Sequence, residues 1–185
     1  MFLALFVFAL AGGILLISIS RASLEIMSKE EREGRLRTEP VIIDDVEIYK
    51  LPQSQTLPKS GYYWLKETRD WLWQKFSFDD EKIIQITLIL ADKKVSEARN
   101  LMEKEKYSLA LENYAKAIEK LEDAGKLVNN MEKKDIFKSE TNNQIKRMTQ
   151  VYKKMIEEMG KNDKIDEQKY LLLLEKVYAF EKKQN

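Results

Sequence analysis

The first twenty residues of the chain, Met1 to Ser20, contain no charged side chain. A helix needs about 20 consecutive apolar residues to cross a bilayer. The sequence therefore predicts that residues 1–20 form a transmembrane anchor or an uncleaved signal. Gly12 and Gly13 weaken this helix but are tolerated inside membranes. A buried helix of a soluble domain does not need such a long run without one charge.

A cleaved secretory signal is the competing interpretation of this leader. Ser18, Ser20 and Ala22 place small residues at a spacing that suits cleavage. The basic start of a signal is missing, because Met1 is followed directly by Phe2, and the apolar run is long for a signal. An anchor fits better, and secretion after cleavage near Ser20–Ala22 stays open.

Basic residues follow the leader and none precedes it: Arg21, Lys29, Arg32, Arg35 and Arg37. Counted literally, the positive-inside rule would keep the rest of the chain in the cytoplasm, and the interleaved glutamates count little in that rule. The count of basic residues therefore argues against a location of the domain outside the cytoplasm. A family resemblance, given below with the residues that carry it, implies that outside location.

The composition excludes several function classes. Thirty-two basic and 31 acidic residues give a net charge of +1, whereas nucleic-acid binders usually show a basic excess. The chain has no histidine and no cysteine, and so lacks the commonest general base and metal ligands. We expect no catalytic residue, no cofactor, no metal, no nucleic acid and no small-molecule substrate. An enzyme would need carboxylates that converge in an apolar pocket.

Residues 21–58 read as a charged juxtamembrane segment followed by an extended stalk, because Pro40, Pro52 and Pro58 interrupt helices. Short β-prone runs at 41–43 and 46–49 could supply one strand-like piece packed on the domain. Residues 59–185 read as a helical domain.

Helical periodicity continues from Ser60 nearly to the end of the chain. Five helices are predicted: 60–76, about 79–104, from Tyr107 to about 128, 133–159, and from Lys164 onward. The first starts at Ser60 and is rich in aromatic residues. The apolar positions of the other four predict their buried faces: Ile84, Leu88, Ala91, Val95, Ala98 and Met102; then Tyr107, Leu111, Tyr114, Ile118, Leu121 and Val128; then Ile136, Ile145, Met148, Tyr152, Met155 and Ile156; and last Leu171 to Leu174, Val177, Tyr178 and Phe180.

Alanines at 110, 117 and 124 would let a partner helix approach the third helix closely. Short connections between helices favour antiparallel neighbours. The predicted fold class is all-α, with antiparallel helical hairpins or a small bundle behind an N-terminal transmembrane helix.

Residues 57–128 resemble an uncharacterised domain family of bacteria and archaea, usually found behind a signal peptide or membrane helix. The pattern Pro-x-Ser-x-x-Tyr-x-Leu-Lys is matched by Pro58, Ser60, Tyr63, Leu65 and Lys66, with Asp70 at a following acidic position. Further matches are the turn 76–79, the run 90–94 with Glu97 and Ala98, and the third helix with Ala110, Tyr114 and Ala117. The resemblance implies a helical domain outside the cytoplasm and implies no activity.

A weaker resemblance relates residues 97–120 to one tetratricopeptide unit. Such repeats need several copies to bury their faces, and the sequence offers no second convincing copy. An ordinary helical hairpin is the simpler interpretation.

Aromatic residues crowd the first predicted helix, and five of them are the candidate partner-binding residues: Tyr62, Tyr63, Trp64, Trp71 and Trp73. A helix buried between others is the simpler explanation of these residues. The functional alternative is a protein-binding or membrane-interface surface, where tryptophan and tyrosine are enriched. Lys66 and Asp70 are expected to be a solvated surface pair. Residues 162–166 superficially look like a calcium loop but lack its central glycine, and are expected to be a capped helix start.

These observations predict a membrane-tethered helical domain outside the cytoplasm, in the cell envelope, that binds or scaffolds a protein and has no catalytic activity. Two alternatives remain beside it. One is a tetratricopeptide-like adaptor that binds a peptide in a helical groove. The other is a structural subunit of a larger membrane assembly.

Overall fold

The computed structural model describes residues 38–43, 46–52, 64, 67, 68, 70, 71, 79–131 and 136–184. Within these ranges the fold is mostly helical, and the prediction of a helical bundle is confirmed. None of the described helices combines the length and the apolar character that crossing a membrane requires. The predicted anchor, residues 1–20, lies outside the described residues.

A β-hairpin precedes the helices. Strands β1 (Thr38–Ile43) and β2 (Val46–Pro52) pair antiparallel and are only two residues apart, with an irregularity between Val41 and Ile42. β2 packs on the first long helix, and Val41 and Leu51 enter the hydrophobic core.

The sequence suggested an extended stalk with one strand-like piece packed on the domain, whereas the structure has two paired strands, of which β2 packs on the first long helix. Pro40 lies in β1, an edge strand, and Pro52 ends β2. Proline is compatible with both kinds of position. The two prolines therefore made the short β-prone runs at 41–43 and 46–49 look less like strands than they are.

Helices α1 (Asp80–Glu103) and α2 (Tyr107–Asn130) form a helical hairpin. Asp79 caps α1, because its carboxylate accepts a hydrogen bond from the backbone N–H of Glu81. The predicted α1 face is buried except for the half-buried Met102, and the predicted α2 face is buried except for the half-buried Tyr107. The three alanines at 110, 117 and 124 are also fully buried.

The turn between α1 and α2 contains a residue with left-handed backbone conformation just after the end of α1. Glu105 has φ of 55°. The N–H of Lys106 bonds the carbonyl of Leu101 at 2.8 Å, and the N–H of Glu105 bonds that of Met102 at 2.9 Å. These two bonds are those of a Schellman motif, in which glycine is the usual left-handed residue.

Helices α3 (Ile136–Met159) and α4 (Glu167–Lys183) complete the bundle. Ile145, Met148, Tyr152, Met155 and Ile156 are buried as predicted. The prediction is wrong for Ile136, which is exposed because it is the first residue of α3. On α4 the predicted burial is confirmed for Leu173, Val177 and Phe180. It is wrong for Leu171, Leu172 and Tyr178, whose side chains are exposed.

Helix α4 packs on both α2 and α3, which also pack on each other. The surface between α2 and α3, where a helical-groove adaptor would hold a peptide, is thus covered by the chain's own α4. The α1–α2 hairpin spans residues 80–130, which is also longer than the 34 residues of a tetratricopeptide unit.

Candidate functional site

Two of the five candidate partner-binding residues are described, and both are exposed. Trp64 is 64% exposed and Trp71 is 56% exposed. Tyr62, Tyr63 and Trp73 lie outside the described residues. Trp64 and Trp71 both have helical backbone, and seven residues correspond to about two helical turns. The stretch from residue 64 to residue 71, of which residues 64, 67, 68, 70 and 71 are described and have helical backbone, is called the tryptophan segment. Helical spacing of this kind favours one side for the two indole rings. We call them the tryptophan face.

Among the described residues of this segment, the burial of Asp70 and of the two tryptophans is the reverse of what hydrophobicity predicts. Asp70, next to Trp71, is only 8% exposed, whereas the two tryptophans are open to solvent. The expectation that Asp70 belongs to a solvated surface pair is therefore wrong. Lys66, its predicted partner, lies outside the described residues.

Lys94 on α1 connects this segment to the helical hairpin. Its ammonium lies 2.5 Å from a carboxylate oxygen of Glu67 and 3.5 Å from one of Glu97. The side chain of Lys94 is 8% exposed and that of Glu97 is fully buried, while Glu67 is 44% exposed. We call these three side chains the Lys94 bridge.

Lys120 on α2 lies close to the same charges. Burial lowers the pKa of its ammonium group, and the negative charges of Asp123, Glu67 and Asp70 act in the opposite direction.

The sequence analysis did not single out Lys94 or Glu97 as a buried charged pair. A signal was present, because α1 carries Ile86 and Leu90 in addition to its predicted apolar face, and both are buried. A helix that is apolar on more than one side is enclosed by other elements. Charged residues in the middle of such a helix, here Lys94 and Glu97, are enclosed with it, whereas the charged residues near its ends are exposed.

A second polar cluster lies where β2, α1 and α3 meet. The hydroxyl of Tyr49 donates to Asp92 at 3.0 Å, and the hydroxyl of Tyr152 donates to the other carboxylate oxygen at 2.7 Å. Burial, followed by the charge of Asp92, raises the pKa of both tyrosines well above its ordinary value. Both hydroxyls therefore stay neutral donors. The cluster ties the β-hairpin to the bundle.

The segment 162–166 is a capped helix start, as expected. Asp166 accepts a hydrogen bond from the N–H of Lys169 at 3.1 Å, and the side chain of Asn162 accepts one from the N–H of Lys164. Within the part of the chain that the structure describes, no group of three or more acidic side chains could hold a metal ion.

A family model described as a domain of unknown function (DUF5667) matches residues 55–158. The chain belongs to this family. The match confirms the resemblance and extends it from residue 128 through most of α3. The β-hairpin and α4 lie outside the matched DUF5667 residues, whereas the tryptophan face and the Lys94 bridge lie within them. No curated protein and no solved structure shows significant similarity to the chain.

Proposed function

We propose that this DUF5667 protein is a membrane-tethered helical domain of the cell envelope, outside the cytoplasm, that binds a protein partner through the tryptophan face and performs no catalysis. The observation that carries the proposal is the exposure of Trp64 and Trp71, seven residues apart, while the neighbouring Asp70 is buried. Tryptophan is the residue type most enriched among the side chains that dominate binding energy in protein interfaces.

The size of the tryptophan face suits the centre of an interface. The exposed fractions of Trp64 and Trp71 correspond to about 300 Å² if a whole side chain offers about 250 Å². A stable interface buries about 800 Å² on each partner. The two indoles would form its apolar centre, and the polar residues around them would form its rim.

The tether rests on the uncharged leader of residues 1–20 and on the usual position of the family behind a signal or membrane helix. The basic residues that follow the leader argue for the opposite orientation. Protease treatment of intact cells, or of spheroplasts where a wall intervenes, decides between the two. Digestion of residues 60–185 from outside is the expected result, and protection until lysis would refute the extracytoplasmic location.

The absence of catalysis is supported by residue chemistry. The sequence has no histidine or cysteine, and the hydroxyls of the half-buried Tyr49 and the fully buried Tyr152 are held neutral by their raised pKa values. A tyrosine with a raised pKa is a poor nucleophile and a poor base at neutral pH.

Site-specific photo-crosslinking in living cells tests the binding surface. A photoreactive amino acid replaces Trp64 or Trp71 in separate variants, and a third variant carries it at Leu172. Leu172 is a matched control because it is 60% exposed and lies on α4, outside the family match. We expect one discrete protein adduct from positions 64 and 71 and none of that size from 172. The same adducts from all three positions, or lipid adducts alone at 64 and 71, would refute a specific protein partner.

A further inference from the structure

Lys94 is a buried cation shared between two carboxylates of different elements. Glu97 lies on the same helix, three residues further along, and is fully buried. Glu67 belongs to the tryptophan segment and is 44% exposed. The separation of 2.5 Å between Lys94 and Glu67 is shorter than the 3.5 Å between Lys94 and Glu97.

The two carboxylates have different roles. A fully buried carboxylate needs a charged or hydrogen-bonding partner, and removing its partner is strongly destabilising. The Lys94–Glu97 pair therefore belongs to the α1 interior. Glu67 contributes a charge-assisted hydrogen bond that crosses from the tryptophan segment to α1. The free energy of that bond favours one position of the segment.

Glu67 is well placed to orient both indole rings. It follows Trp64 by three residues and precedes Trp71 by four, and residues at these spacings are neighbours on one side of a helix. All three residues have helical backbone. Holding the Glu67 side chain therefore limits the rotation of the segment and the displacement of both tryptophans.

We propose that Lys94 is a positioning residue that holds the tryptophan face in its binding orientation through Glu67. This inference rests on the proposed function of that face. A surface held in one orientation loses less conformational entropy when a partner binds. The Lys94 bridge thus sets the affinity of a surface that Lys94 itself need not contact.

Glu67→Gln in the full-length chain tests the inference, with Glu158→Gln as the matched control. Glu158 is also 44% exposed and lies 2.5 Å from a lysine, Lys161, but that lysine is exposed. Hydrogen exchange followed by mass spectrometry measures local opening of each segment. Losing the charge of Glu67 should accelerate exchange of residues 64–71 by about five- to ten-fold. Exchange in α2 and α3 should stay unchanged, and Glu158→Gln should leave residues 64–71 unchanged.

A second variant separates positioning from folding. Lys94→Met combined with Glu97→Met removes both buried charges together, a replacement that buried ion pairs commonly tolerate. It should accelerate exchange of residues 64–71, and adding Glu67→Gln should produce a further acceleration clearly smaller than that of Glu67→Gln alone. Unchanged exchange in residues 64–71 with Glu67→Gln, or full additivity of the changes, would overturn the inference.

The crosslinking assay provides the functional readout. With the photoreactive residue at position 71, Glu67→Gln should lower the adduct yield by a factor comparable to the change in exchange, and Glu158→Gln should not. An unchanged yield despite faster exchange would refute the positioning role and leave the binding surface intact. If the parent chain gave no adduct at all, the proposed function would be refuted instead. The hydrogen-exchange measurement does not depend on that function and would still report on the Lys94 bridge.

Discussion

Replacing Asp92 by alanine should destabilise the protein far more than replacing an ordinary helical aspartate. Asp92 accepts hydrogen bonds from the hydroxyls of Tyr152 at 2.7 Å and Tyr49 at 3.0 Å. Tyr152 is fully buried and belongs to α3, and Tyr49 is half-buried and belongs to β2. One side chain on α1 therefore satisfies hydroxyl groups from two other elements.

The magnitude follows from the different burial of the two tyrosines. The hydroxyl of Tyr152 would lose a bond to a charged group without access to water, which costs about 1.5–3 kcal/mol. The hydroxyl of Tyr49 can turn toward solvent, so its loss should cost about 0.5–1 kcal/mol. The expected decrease in the free energy of unfolding is about 2–4 kcal/mol, a large part of the about 5–15 kcal/mol typical of a domain.

Urea unfolding followed by circular dichroism measures this change, with Asp123→Ala as the control. Asp123 also lies inside a helix, α2, but is exposed and pairs across the surface with the exposed Lys126 at 3.2 Å. We expect the control to change stability by less than about 0.5 kcal/mol. Adding Tyr152→Phe to Asp92→Ala should recover about 1–2 kcal/mol relative to the sum of the single changes, because the orphaned hydroxyl is then absent. A cost as small as that of the control, or strict additivity, would refute the reasoning.

Three further predictions concern pH, the helical turn and the alanines of α2. Burial raises the pKa of Tyr152 and of Tyr114, so the stability that these neutral groups contribute is complete below about pH 10 and is lost as the pH rises above it. Each tyrosine should add about 1.4 kcal/mol per pH unit to that loss. Tyr152→Phe should therefore reduce the dependence of the unfolding free energy on pH, measured by urea unfolding between pH 10 and 11, and an unchanged dependence would contradict the assignment. The free energy of unfolding of Glu105→Gly should be about 1 kcal/mol larger than that of Glu105→Ala. Both variants lose the ion pair with Lys164, but only glycine adopts the positive φ without strain. Equal thermal midpoints of the two variants would show that the turn is not strained. Ala117→Leu should lower the free energy of unfolding by about 1–3 kcal/mol through overpacking, since Ala117 is fully buried. Lys116→Leu, at the exposed neighbouring position, should have little effect. If both variants are tolerated, the helices are not closely packed at Ala117.

The helices were predictable because their signals are local. The apolar spacing of α2 and the capping residues Asp79 and Asp166 are properties of short stretches of sequence. The predicted helices also ended near Lys104 and began at Tyr107, which leaves room for the turn between α1 and α2 even though Glu105 takes the place of the usual glycine. Local signals failed where an element is short, as in β1 and β2, whose pairing depends on contacts between Val41, Leu51 and the helices.

The candidate site was predictable in part for the same reason. The crowding of aromatic residues singled out Trp64 and Trp71, and helical spacing placed them on one side. Sequence could not decide whether that side faces the core or the solvent, because burial depends on what the segment packs against. Asp70 shows the difficulty most clearly, since a charged residue is expected outside and is found inside.

By itself, the sequence determined that the chain begins with an uncharged run of membrane-spanning length, that it belongs to a family of helical domains, and where its principal helices lie. These properties depend on residue type and spacing along the chain. Only the tertiary structure decided that residues 38–52 form a hairpin, that α4 covers α2 and α3, and that Lys94 lies between Glu97 and Glu67. Each of these is a contact between distant residues, and its free energy depends on burial and charge that exist only after the elements have packed together.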